Sequence, residues 1–102
     1  MQTISVAELK ARKEAGEELF ILDVREPSEY AEVNMGAKLI PLGQIMNMQV
    51  DEIEDWKEHE VIVHCRSGVR SMQACAMLDQ MGFTNTKNLT GGINAWVELN
   101  QA

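Results

Sequence analysis

The run Val61-Ile62-Val63-His64-Cys65-Arg66-Ser67-Gly68-Val69-Arg70-Ser71 constrains this chain more than any other stretch. It opens on three β-branched residues, the composition of a buried strand, and passes through a short polar loop into residues that can continue as a helix. A strand that turns directly into a helix aims the loop N–H groups into one concavity, at the positive end of the helix dipole. Such a concavity binds anions. Cys65 stands at the start of that loop. A thiol at the rim of an anion-binding concavity is expected to ionise below its ordinary pKa and to act as a nucleophile.

The rest of the chain supplies a setting for that loop. Ser5 and Glu8 have the spacing of a capping box and open a helix that Gly16 stops. Leu19-Phe20-Ile21-Leu22 is an apolar run without alternation, as in a strand covered on both faces. Asp23-Val24-Arg25-Glu26-Pro27 follows at its carboxyl end, then a short helix over 28–33 begun by Pro27 or Ser28. Lys38-Leu39-Ile40 is a second short strand, stopped by Pro41. Residues 42–56 place Leu42, Ile45, Met46, Val50 and Ile53 near helical spacing, with Met46 and Met48 expected as core filler. Asp51 to Asp55 is an acidic run, either a solvated helix face or a docking patch for a basic partner. Val61 to Val63 is a buried strand, and residues 69–81 a helix with Val69, Met72, Ala76 and Leu78 among its apolar positions. Residues 86–89 form another strand, Thr90-Gly91-Gly92 a turn, and residues 93–99 a last helix with Trp96 facing inward. Strands alternating with helices predict a parallel sheet with helices on both sides.

The 102 residues have room for one domain, residues 1–102. A net charge of −7 makes nucleic acid and anionic membrane surfaces poor partners. The charge is uneven: residues 1–60 carry a net −8 and residues 61–102 a net +1, so the cysteine loop lies in the half that does not repel anions. Two cysteines are too few for a secreted disulfide scaffold. The first ten residues contain no apolar signal segment and no later run could span a bilayer, so the chain is expected to be soluble and cytoplasmic.

In open α/β sheets, sites form beyond the carboxyl ends of the strands. Three polar clusters are predicted there: Asp23 to Arg25, Cys65 to Arg70, and Thr90 to Gly92. A thiol with a pKa near 8.5 is about 3% ionised at pH 7. Lowering it two units requires about 2.7 kcal/mol. A helix N-terminus supplies about 0.3–1 kcal/mol, or about 2 when partly buried. Converging loop amides and the charge of Arg66 or Arg70 are expected to supply the remainder. Cys75 sits among Met72, Ala74, Ala76 and Met77. It is read as core, the alternative being a resolving partner for Cys65. A helical rise of about 9 Å disfavours that pairing, because a disulfide needs Cα atoms within about 7 Å. His64 should point to the opposite face from Cys65 and be a packed, hydrogen-bonded residue rather than a base. His59 is expected on the surface. Two histidines and two cysteines give a metal site little support, and no cofactor is expected. Four residues separate Cys65 from Arg70, one fewer than in phosphate-transferring cysteine enzymes, and Ser71 takes the next position. The smaller ring suits a persulfide sulfur better than a phosphate.

Taken together, the chain resembles a single-domain rhodanese-type sulfurtransferase. The likeness rests on Leu22 to Pro27 with Glu29-Tyr30, Gly36-Ala37, Ile40-Pro41-Leu42, Val63 to Ser71, Asn88-Leu89 and Gly91 to Trp96, in the family's order over most of the chain. The resemblance implies a five-stranded, mostly parallel sheet flanked by helices. It also implies that Cys65 takes sulfur from a donor such as thiosulfate as a persulfide, cradled by the amides of Arg66, Ser67, Gly68, Val69 and Arg70, with Arg66 and Arg70 favouring anionic donors. A thiol, cyanide or a sulfur-carrier protein would then accept the sulfur. Asp23 and Arg25 resemble the family's supporting pair, either structural or in contact with substrate. Val33 to Ala37 departs from the Gly-His-Ile-Pro-Gly-Ala stretch of many relatives and resembles domains fused to adenylyltransferases, which leaves the acceptor open. A non-catalytic docking module and a phosphatase or arsenate reductase are the competing functions.

Overall fold

The computed structural model describes residues 1–101. Five strands lie in one sheet: β1 (Gln2–Ile4), β2 (Phe20–Asp23), β3 (Lys38–Leu39), β4 (Glu60–His64) and β5 (Asn85–Leu89). Their order is β1-β5-β4-β2-β3 and every pairing is parallel, so the expected sheet is present and wholly parallel. The helices are α1 (Val6–Glu14), α2 (Pro27–Glu32), α3 (Leu42–Met46), α4 (Val69–Gln80) and α5 (Gly92–Asn100), with a 3-10 segment at Asp51–Trp56.

The two faces of β4 divide the core. Val61 and Val63 pack with Leu22, Ile45, Ile53, Ala74, Cys75 and Leu78, under α3, the 3-10 segment and α4. Ile62 packs with Ile4, Leu9, Ile21 and Leu89, under α1 and α5. The central strand is thus packed on both faces, and Cys65 follows its last residue directly. α1 begins as its sequence predicts, with the Ser5 hydroxyl accepting from the Glu8 amide at 3.1 Å.

Four readings of the sequence change. A strand precedes the first helix: Ile4 ends β1, and its carbonyl accepts from the Thr90 amide. Three residues are too few to show a period, so this strand was invisible. Residues 42–56 are not one helical stretch. Met48 adopts φ +61°, which breaks the chain between α3 and the 3-10 segment. Met46 and Met48 are therefore not core filler, being 45% and 63% exposed. On α4 the buried stripe is Ser71, Ala74, Cys75 and Leu78, whereas Val69, Met72 and Ala76 face outward. The helix is set by what the loop before it requires, and the apolar residues of its first turn border that loop. Trp96 is partly buried, against the α1–α5 core, with the Lys13 ammonium 5.4 Å above its ring.

Candidate active site: a thiol inside a ring of amides

Cys65 is 1% exposed, so the thiol sits at the bottom of the loop and not at its rim. The loop turns back through Gly68, whose φ of +120° suits a residue without a side chain, and α4 starts at the next residue. The Gly68 amide donates to Cys65 Sγ at 3.1 Å, and the Ser71 hydroxyl lies 3.4 Å from the sulfur. Burial pushes the Cys65 thiol up. Hydrogen bonds from the Ser71 hydroxyl and from the amides of Ser71, Gly68 and Ser67 more than reverse this, leaving the thiol below its ordinary value.

The amides point inward because the carbonyls are held outward. The Cys65 and Arg66 carbonyls accept from the amides of Ile93 and Asn94, at 2.9 and 3.1 Å, in the first turn of α5. Gly92 makes this contact possible: a Cβ there would lie 2.5 Å from the Cys65 carbonyl oxygen. The Gly68 carbonyl accepts from the Asn88 side-chain amide at the end of β5, at 3.1 Å, and Asn88 Oδ1 lies within hydrogen-bond reach of Ser71 Oγ, so the one Ser71 hydroxyl proton can go to Asn88 or to Cys65 Sγ. Thus β4 and β5 end, and α4 and α5 begin, at the same few peptide groups. Two of the three polar clusters expected at the strand ends, Cys65 to Arg70 and Thr90 to Gly92, meet here.

The third cluster has a different place. Asp23 and Arg25 are 0% and 1% exposed. Arg25 donates to Asp23 through Nε and Nη2 at 3.0 and 2.8 Å, and to the carbonyls of Val33 and Glu29 around α2. These bonds tie the end of β2 to α2. His64 packs beside them, fully buried, with Nδ1 3.3 Å from the Cys65 carbonyl and Nε2 3.6 Å from Asp23. Burial pushes its pKa down, against the nearby Asp23 charge.

Arg66 and Arg70 turn to one carboxylate outside the loop. Both guanidiniums meet Glu29 of α2: Arg70 donates to its two oxygens at 2.7 and 2.9 Å, and Arg66 Nε to one of them at 3.1 Å. The charge expected to help ionise Cys65 is thus largely answered by a carboxylate, and the amides and the Ser71 hydroxyl carry the effect. Val69 is 66% exposed. Ser71, Asn88 and Glu29 are the residues that sequence reasoning missed. Asn88 had a visible signal, a buried-type strand ending in a polar side chain. Ser71 had one too, a single turn beyond Gly68 on the face toward Cys65.

Cys75 is the contrast. It is buried in the middle of α4, and burial pushes its thiol up to about 11. Both cysteines are free. Among the described residues no cluster of three His, Cys, Asp or Glu side chains could hold a metal ion, and no helix is long and apolar enough to cross a membrane. A cleft of about 360 Å³, lined by Lys13, Leu19, Met35, Lys38 and Trp56 among others, contains no residue of the Cys65 loop.

A wholly parallel sheet delivering one thiol into a ring of peptide amides defines an α/β protein with an anion-cradling cysteine loop. The Rhodanese-like domain family matches residues 5–99, and the chain belongs to it. Several of its relatives are sulfurtransferases by name. "Putative sulfurtransferase YtwF" of Bacillus subtilis (strain 168) is 41% identical over 101 residues, covering 94% of this chain and 90% of that one. A "Sulfurtransferase" of Allochromatium vinosum is 39% identical over 80 residues, covering 78% and 73%. The crystal structure of a rhodanese-like domain protein from Staphylococcus aureus is similar with a TM-score of 0.82 at 31% identity, covering 94% and 91%.

Proposed function

We propose that this domain moves sulfane sulfur through a Cys65 persulfide. The observation that carries the reading is the Gly68 amide donating inward to Cys65 Sγ at 3.1 Å with the Ser71 hydroxyl 3.4 Å from the same sulfur, a setting that favours a thiolate and can hold a bound sulfur next to it. The Cys65 thiolate attacks the outer sulfur of a donor such as thiosulfate. The donor S–S bond breaks, and sulfite leaves with the electron pair. An acceptor thiolate then attacks the outer sulfur of the persulfide, which returns Cys65 as thiolate and leaves the acceptor as a persulfide. With cyanide the product is thiocyanate. This is covalent, two-step catalysis with ping-pong kinetics. The amides of residues 66–70 cradle the transferred sulfur, while Asp23 and Arg25 hold the scaffold behind it. The acceptor is a small thiol or a sulfur-carrier protein in the cytoplasm. The acidic surface supports neither a nucleic acid nor a membrane as partner.

The test is direct. The protein is incubated with thiosulfate, and with an organic thiosulfonate, and its intact mass is taken. A gain of one sulfur that is absent in Cys65→Ala is expected. No gain with any donor would overturn the proposal, and hydrolysis of an aryl phosphate would revive the phosphatase reading.

A further inference from the structure

Among the described residues, Glu29 is the side chain that accepts from both arginines of the loop. Its carboxylate is 15% exposed and accepts from Arg70 Nη1 and Nη2, from Arg66 Nε, and from the Glu26 amide at 3.0 Å, with Arg66 Nη2 also 3.0 Å away. The bidentate geometry on Arg70 is the one in which guanidinium and carboxylate bind most strongly. Arg70 holds the Glu29 carboxyl far below the usual carboxylate range, and Glu26 lies close enough to add to the pull on Arg70. Two guanidiniums that would otherwise present a double positive charge therefore face two carboxylates, one of them in contact. A small anion approaching Cys65 meets a mouth much closer to neutral than its two arginines suggest.

We propose that Glu29 is a specificity-determining residue: its carboxylate acts as a built-in anion on Arg66 and Arg70, and it biases the Cys65 loop toward singly charged sulfur donors and against dianions such as thiosulfate. This deepens the sulfur-transfer reading and rests on it for the identity of the donors. The carboxylate neither donates nor receives sulfur. It sets the arginine positions and the local charge.

The experiment compares wild type, Glu29→Gln and Arg66→Gln at low and high ionic strength. Gln keeps the shape of Glu29 and can still accept from the Glu26 amide and Arg70 Nη1, while the charge and the acceptor facing Arg70 Nη2 and Arg66 Nε are removed. Sulfur loading is followed by intact mass with thiosulfate, a dianion, and benzenethiosulfonate, a monoanion that transfers its outer sulfur and releases benzenesulfinate. Independently of any sulfur transfer, Cys65 is alkylated with anionic iodoacetate and neutral iodoacetamide. At low ionic strength E29Q is expected to raise both the thiosulfate-to-thiosulfonate ratio and the iodoacetate-to-iodoacetamide ratio by about three- to fivefold. R66Q should lower both, and salt should compress all the differences. Ratios that do not move in E29Q overturn the proposal, since a merely structural Glu29 would slow every reagent alike. If the alkylation ratio moves but neither donor loads sulfur, the charge role of Glu29 stands and the sulfur-transfer reading falls. Should E29Q fail to fold, the half-exposed Arg66 decides: an R66Q protein with wild-type ratios overturns the proposal.

Discussion

Gly92→Ala tests how the loop is held. Gly92 has φ +57°, in the left-handed region, where an L side chain costs about 1–2 kcal/mol. An added Cβ would lie 2.5 Å from the Cys65 carbonyl oxygen and 2.6 Å from that of Arg66, about 1 Å inside ordinary contact. Both atoms are backbone and cannot swing aside as a side chain would, so the overpacking cost of about 1–3 kcal/mol applies. The expected loss is about 2–5 kcal/mol, or a fall in Tm of about 10 °C or more for a domain of this size. The chemistry should suffer as well. Relief of the clash requires α5 to back away from the loop, which stretches the bonds from Ile93 and Asn94 that hold the Cys65 and Arg66 carbonyls outward. With those carbonyls free to turn, the amides no longer converge on the sulfur. The alkylation rate of Cys65 at pH 7 should drop about fivefold or more in the folded protein, because each 1.36 kcal/mol lost from the thiolate raises its pKa one unit. Urea unfolding gives the first quantity, and iodoacetamide labelling below the unfolding transition gives the second. A Gly92→Ala protein with the wild-type Tm and labelling rate would refute the idea that α5 braces the loop.

Other predictions follow from the same contacts. Ser71→Ala removes the hydroxyl beside the sulfur. The Cys65 pKa should rise by about one unit, seen as a shift of the labelling pH profile toward alkaline pH, while Cys75 stays unlabelled in the native protein because its own thiol lies at about 11. Arg25→Met strands the buried Asp23 charge and should cost about 3–5 kcal/mol in urea unfolding; Asp23→Leu with Arg25→Met should cost less than the two single changes added. Acid should unfold the domain partly through Glu60, which Arg12 holds below its ordinary pKa against burial, with help from Lys87. A carboxylate depressed in the folded state contributes stability above the unfolded pKa of about 4.3, and that contribution is lost as pH falls through the folded value. The urea midpoint should therefore fall between pH 6 and pH 3, and more shallowly in Glu60→Gln; parallel acid limbs would refute this assignment.

The sequence alone determined the central strand, the cysteine loop and the helix after it. Each of these is a local matter: β-branched residues favour an extended chain, a glycine permits the turn, and the helix begins where the loop ends. It also determined that Cys65 and Cys75 differ, since one follows a strand and the other sits inside an apolar helix. Only the tertiary structure decided what surrounds the thiol. The carbonyls are turned outward by Ile93, Asn94 and Asn88, and the arginines are held by Glu29, 37 and 41 residues away in sequence. Sequence spacing carries no record of which distant group answers a charge, so Arg66 and Arg70 read as free cations until α2 is seen beside them. The three-residue β1 and the outward face of α4 were likewise settled by pairing with β5 and by the loop, because short elements take their conformation from their neighbours rather than from their own period.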